Sequence, residues 1–293
     1  MNARRLATLG GNPKSKWNET WRRLKKNRVA VLGLAVTLFF ILAAVLLPLF
    51  VPYSAAIKQN AKNRLQPPSA EHIFGTDEYG RDEFARIVYG TRTSMGLGLM
   101  TTITSALLGC LLGSVAAFYG GWVDSVIMRI VDLFMCIPAI LLALALVAAL
   151  GPSLMNLVIA ITVASVPPFT RVVRSVILTV VDQDYIEAAR SYGASSGRVI
   201  LRYVLPNAMG PIIVQTTMSV AGMIIATASL SFIGMGVQPP TPEWGVMLAN
   251  ASAYMLKSPY LLFFPGICIM TCALALNLVG DGLNDALDPR LRD

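Results

Sequence analysis

From Leu133 to Thr170 this chain runs for 38 residues without a charged residue, one of several apolar runs of bilayer-crossing length. A hydrocarbon core of about 30 Å takes roughly 20 apolar residues as α-helix, because lipid offers the backbone N–H and C=O groups no partner. Val29 to Val51 is one such run, 23 residues long. Met95 to Phe118 is a second, and it carries Ser105, Gly109, Gly113 and Ala117 at every fourth position. Such a stripe suits close helix contact, although chance placement of common membrane residues explains it equally well. Within Leu133 to Thr170, the triplet Gly151-Pro152-Ser153 ends one helix and starts another. The third span begins a little before Leu133, with Arg129 and Asp132 in its first turns. The fourth, from Leu154 to about Thr170, is expected to close at Pro167 and Pro168. A fifth lies within 208–236 and a sixth close to 260–279.

Composition agrees: 55% of residues are hydrophobic and 14% charged, where a soluble domain carries about a quarter charged. The expected fold is therefore all-α, a polytopic membrane protein with six transmembrane helices. Residues 1–28 form an N-terminal tail, 29–280 the membrane domain and 281–293 a C-terminal tail. Outer loops are expected at 52–94 and 237–259, with a loop at 171–207 on the opposite side. In the first tail, Lys16 to Arg28 places Trp17, Trp21 and Leu24 on one helical face among basic residues, the pattern of a helix lying in the membrane interface. An ordinary basic flank is the plainer alternative.

Six crossings put both termini on one side. Seventeen of the 24 Lys and Arg residues lie in the two tails and the two loops on that side, which makes it cytoplasmic by the positive-inside rule. The charged leader of 28 residues and apolar core of 23 are both too long for a cleaved secretory signal. The net charge of +8 arises from these flanks and gives no reason to expect nucleic acid as a partner.

Several functions are disfavoured. No Gly-Lys-Ser or Gly-Lys-Thr occurs, so a phosphate-cradling ATPase loop is missing. Gly96-Leu97-Gly98 and Gly234-Met235-Gly236 lack the third glycine of a dinucleotide fingerprint. His72 is the sole histidine, leaving no multi-histidine metal site and no partnered base. Cys110, Cys136, Cys268 and Cys272 sit in apolar segments as small hydrophobes. Ion-coupled carriers keep ionisable residues near the midplane, whereas Arg129, Asp132 and Asp281 lie near helix ends. A pair between Arg129 and Asp132, one turn apart, is the plain expectation there.

The segment from Arg171 to Pro206 is long and patterned. Asp182, Asp184 and Glu187, then Ala188 and Ala189, then Gly193 give the acidic start, small middle and glycine stop of a short helix. Its bland reading is a surface helix between spans. Glu187-Ala188-Ala189, three residues, Gly193, nine residues, then Tyr203-Val204-Leu205-Pro206 resembles the Glu-Ala-Ala loop motif of bacterial ATP-binding cassette (ABC) importer permeases. That family normally has isoleucine where Tyr203 stands.

Two more segments narrow the resemblance. Gly75-Thr76-Asp77-Glu78-Tyr79-Gly80-Arg81-Asp82 is similar to the stretch after the first span in dipeptide and oligopeptide permeases, and Asn277 to Arg290 is similar to that group's ending. Gln238-Pro239-Pro240-Thr241-Pro242-Glu243-Trp244-Gly245 also fits. The chain is thus similar to the dipeptide, oligopeptide and nickel group, nearest to the second permease subunit of dipeptide importers.

The resemblance implies a bacterial cytoplasmic-membrane subunit that translocates dipeptides or short oligopeptides. Its implied partners are a homologous second permease, two cytoplasmic ATPase subunits, an extracytoplasmic solute-binding protein and membrane lipid. It implies no cofactor on this chain, with ATP and Mg bound by the ATPases. Specificity in that family resides largely in the binding protein. The implied docking-loop residues are Asp184, Tyr185, Ile186, Glu187, Ala188, Ala189, Gly193, Leu205 and Pro206, and the outer-loop motif is Gly75, Thr76, Asp77, Gly80, Arg81 and Asp82. For Arg81 and Asp82, the residues alone favour a structural role, pairing with each other or with neighbours to hold the loop.

Overall fold

A computed structural model describes residues 20–287, and its regular elements are helices. Trp17, Arg290 and Arg292 lie outside the described residues. The helices that organise the fold are α1 (Arg28–Leu46), α2 (Glu83–Tyr119), α3 (Gly121–Met135), α4 (Ala139–Leu150), α5 (Leu154–Val181), α6 (Asp184–Ser191), α7 (Leu205–Phe232), α8 (Trp244–Ser252) and α9 (Tyr260–Leu287). Of these, α1, α2, α5, α7 and α9 are each long and apolar enough to cross a membrane. The bent pair α3 and α4 makes a sixth crossing when taken as one span.

Three expectations are corrected. The third span is not straight: α3 and α4 meet at 86°. Pro138 lacks an N–H and disfavours helical backbone at Ile137, so the helix breaks there. The fourth span does not close at its prolines, because α5 runs through Pro167 and Pro168 to Val181. Its buried face, Leu157 to Ile177, is gripped by neighbours, and packing of that kind holds helices through proline inside membranes. The helix of the second span begins at Glu83, well ahead of Met95, since the Asp82 carboxylate caps α2 by accepting from the Ala85 N–H at 2.8 Å.

The turn at Gly151 to Ser153 forms as expected. Ser153 Oγ accepts from the Asn156 N–H, and Asn156 Nδ2 donates back to the Leu150 and Gly151 carbonyls at 2.9 Å each. These bonds satisfy carbonyls that α4 leaves open at its end.

The small-residue stripe is a contact surface. α2 packs along α5 more extensively than any other described pair. A Cβ on Gly109 would meet the Phe169 Cβ at 2.5 Å, and one on Gly113 the Thr170 carbonyl oxygen at 2.7 Å. Without a water-driven hydrophobic effect between helices in lipid, this close approach is what holds them. Charges hold the near end of the bent span. Asp124 on α3 pairs with Arg174, and Asp132 pairs with Arg171, both on α5. The expected Arg129 to Asp132 pair is thus replaced by a bond across helices.

The chain from Leu24 onward folds back on the end of α9, where Leu24, Ala30 and Ala286 form a small buried cluster. The start of α1 and the end of α9 therefore lie on one side.

Candidate functional site

On that same side, α5 ends at Val181 and the chain turns into α6. Asp184 and Glu187 stand in the first turn of α6 and Arg190 in the last, so each charge complements the helix dipole. Gly193, with φ +78°, ends the helix. Its N–H donates to the Arg190 carbonyl, and the next N–H, of Ala194, donates to Ala189. That left-handed backbone suits glycine.

An eight-residue helix has little stability of its own, and one side chain anchors this one. Ile186 is 0% exposed. It enters a cluster made by Ala117 of α2, Val173 and Ile177 of α5, Val199, Val204, and Ala208 and Ile212 of α7. Three spanning helices thus hold α6 by its inner face. Arg190 adds a second tie, its guanidinium lying 4.6 Å from the ring centroid of Phe118 at the end of α2.

Among the docking-loop residues, Asp184, Tyr185, Glu187, Ala188, Gly193 and Pro206 are exposed, while Ala189 and Leu205 are half-buried. Ile186 faces inward and is not available to a partner. Tyr192, within the same loop segment, is 92% exposed. The contact of Arg190 with Phe118 was not legible in the sequence, although a cation in a helix's last turn is. Tyr203 is half-buried and packs against the same cluster as Ile186. Just before α7 the chain makes one wide turn, in which the Leu205 N–H donates to the Ile200 carbonyl. Pro206, which follows, has no N–H to continue a regular ladder.

The opposite side carries the other motif, and there the motif builds structure. Asp77 is its hub: one carboxylate oxygen accepts from the backbone N–H of Tyr79 and of Arg81, at 2.9 and 2.8 Å. The other accepts from Arg81 Nε at 2.6 Å and lies 3.4 Å from Arg86 Nε. Arg81 therefore pairs with Asp77 and not with Asp82. Asp82 instead caps α2 and accepts from His72 Nδ1 at 2.8 Å. Thr76 is buried, its hydroxyl donating to the Asn63 carbonyl and accepting from the Gln66 N–H. Gly75 and Gly80 turn the chain with φ +77° and +71°. At Gly80 a Cβ would lie 1.9 Å from the Asn60 carbonyl oxygen, so no larger residue fits. Burial raises the Glu78 carboxyl above its ordinary range, and the neighbouring Asp77 adds to the rise.

The second outer segment is fastened to this one. Arg64 Nη2 donates to the Tyr254 hydroxyl at 3.2 Å, and the first segment is tied to α9 as well, where Phe74 stacks on Phe264 with centroids 3.9 Å apart and the Tyr260 hydroxyl donates to the Gln66 carbonyl at 2.8 Å. Glu243 is wholly buried. It accepts from Ser94 Oγ at 3.0 Å and caps α8 by accepting from the Val246 N–H at 2.9 Å. Burial raises the Glu243 carboxyl as well. The two outer segments thus form one fixed platform over the ends of α2 and α9.

Comparison with known proteins places this geometry. Residues 105–293 match the model of the "binding-protein-dependent transport system inner membrane component", and residues 15–68 match the "N-terminal TM domain of oligopeptide transport permease C". A dipeptide transport system permease protein of Alkalihalophilus pseudofirmus is 46% identical over 95% of this chain and 91% of its own length. A glutathione transport system permease protein of Escherichia coli O6:K15:H31 is 41% identical over 100% of this chain and 99% of its own. Among solved structures, the inward-facing MetNI methionine ABC transporter superposes with a TM-score of 0.57 at 16% identity. The match covers 69% of this chain and 96% of that one, a likeness of fold.

Proposed function

This chain belongs to the binding-protein-dependent transport system inner membrane components, the permease subunits of ABC importers, and on that premise we propose that it moves dipeptides or short oligopeptides, driven through α6. The family's members lack an ATPase site, and a separate subunit hydrolyses ATP. The proposed assembly is this chain, a homologous second permease and two cytoplasmic ATPase subunits that bind ATP and Mg. An extracytoplasmic solute-binding protein delivers the peptide. The side that carries α6 and both described ends faces the cytoplasm, in line with the excess of Lys and Arg there.

The observation that carries the reading is the mounting of α6. Its inner face is fixed by Ile186 to the ends of α2, α5 and α7, and its outer face offers Asp184, Tyr185, Glu187 and Ala188. A force applied to that outer face reaches three spanning helices through one packed cluster. Closure of the ATPases on ATP would draw two such helices together and shift the paired permeases between inward and outward openings. The differential free energy comes from nucleotide binding, as any population shift requires. The outer platform is the surface offered to the binding protein.

In the reconstituted complex, Glu187→Arg should leave insertion and assembly intact and abolish peptide-stimulated ATP hydrolysis and uptake. Unchanged stimulation would overturn the coupling role. The substrate class is read by identifying the cognate binding protein and measuring which ligands it retains. Retention of dipeptides supports the reading, and retention of nickel complexes alone contradicts it.

A further inference from the structure

The start of α1 and the end of α9 enclose a polar pocket of about 310 Å³, lined by Arg22, Arg23, Lys26, Asn27, Gly282, Asp285 and Ala286. We propose that this pocket binds the phosphate of an anionic phospholipid headgroup, held between the segment before α1 and the last turns of α9.

Among the described residues the charges favour an anion, since Arg22 and Lys26 line the pocket against the carboxylate of Asp285. Arg22 and Lys26 are exposed and one helical turn apart in sequence. Asp285 is partly engaged already, accepting from Asn27 Nδ2 at 3.4 Å. Asp281, one turn earlier on α9, is exposed but is not among the lining residues.

The pocket is built on a rigid floor. Asn27 Oδ1 accepts from the Val29 and Ala30 N–H groups at 3.1 and 3.2 Å, fixing where α1 starts. A Cβ on Gly282 would meet the Ala30 Cβ at 2.2 Å, so α1 and α9 cross in direct contact there. The cations therefore stand over a fixed crossing and not on a loose tail.

Position selects a lipid over other anions. The pocket lies where two spanning helices end, at headgroup depth. Trp21 is half-exposed beside it, with Lys25 Nζ 5.2 Å from its ring centroid, the pairing of aromatic and cation expected at a membrane interface. From the pocket into the bilayer, α1 leaves Val29 and Leu32 exposed, apolar surface for the acyl chains. Basic pockets between helix ends bind anionic headgroups in this manner. The inference needs only that the chain spans a membrane. Assigning the lipid to the inner leaflet rests on the orientation proposed above.

The test uses the purified complex and phosphatidylglycerol as probe. Native mass spectrometry counts the lipid retained, against phosphatidylcholine as the neutral control. In the Arg22→Gln, Lys26→Gln double variant, phosphatidylglycerol affinity should fall about 30-fold, from two cations near the surface. Phosphatidylcholine should be unaffected. Lys58→Gln with Lys62→Gln, on the outer side, should change nothing. Should the double variant fail to fold, Arg22→Lys with Lys26→Arg should retain the lipid, and Asp285→Asn should bind it more tightly.

Retention equal to wild type in the folded double variant would overturn the proposal. So would displacement of phosphatidylglycerol by millimolar inorganic phosphate, because the pocket would then be a free-anion site. Peptide-stimulated ATPase in the same variants reads the transport function separately, so the two readings fail independently.

Discussion

Ile186→Ala offers the sharpest test of how α6 is mounted. The substitution removes three carbons from a side chain that is 0% exposed. At about 0.8 kcal/mol per buried methylene that amounts to ~2.4 kcal/mol, and any cavity left behind brings it into the range of about 2–5 kcal/mol seen for such truncations. The loss falls on the docking of α6, because Ala117, Val173, Ile177, Ala208 and Ile212 of the cluster belong to the much longer α2, α5 and α7. At about 1.4 kcal/mol per tenfold change, α6 undocks roughly 50-fold more often. Hydrogen exchange on the assembled complex measures this directly. The amides of α6 should lose about 50-fold in protection while α2, α5 and α7 keep theirs. Ile186→Val removes one carbon and should produce only about a fourfold loss. Peptide-stimulated ATPase should fall with docking, in the order wild type, Val, Ala. Unchanged exchange in α6 with Ile186→Ala would refute the claim that this side chain fastens the helix. Lost protection with full coupling would separate anchoring from force transmission.

Two further outcomes concern the outer platform. Gly80→Ala places a Cβ against the Asn60 carbonyl oxygen at positive φ, where left-handed backbone alone costs roughly 1–2 kcal/mol. Limited proteolysis should cut residues 52–82 faster in that variant, and an unchanged pattern would mean that the turn relaxes freely. Glu243 provides a pH dependence: burial raises its carboxyl, so the folded state keeps its proton to higher pH than the unfolded chain does. Native stability therefore declines as pH rises from the ordinary glutamate range through the raised folded value. In thermal melts of the complex, wild type should lose stability relative to Glu243→Gln over that interval, and a difference independent of pH would contradict it.

The crossings were legible in sequence because in lipid each backbone N–H and C=O must find its partner within its own segment. A run such as Val29 to Val51 therefore announces a helix without reference to any other part of the chain. The triplet Gly151-Pro152-Ser153 marked a turn for the same local reason, and the charge-flanked Glu-Ala-Ala segment marked the short helix α6. Its acidic start and glycine stop are properties of neighbours in sequence.

What the tertiary structure decided depends on pairs far apart in the chain. Pro167 and Pro168 read as a stop, yet helix packing carried α5 through them, while Pro138, on a span exposed at that point, produced the 86° bend. Asp132 chose Arg171, 39 residues away, over Arg129, because the approach of chain segments fixes which charges meet. Ile186 looked like one more docking residue until α2, α5 and α7 closed over it. The basic pocket joins Arg22 to Asp285, residues that become neighbours only where α1 and α9 cross. Backbone satisfaction in a membrane is local and leaves its mark in composition, whereas side-chain partnership is set by the packing of distant helices.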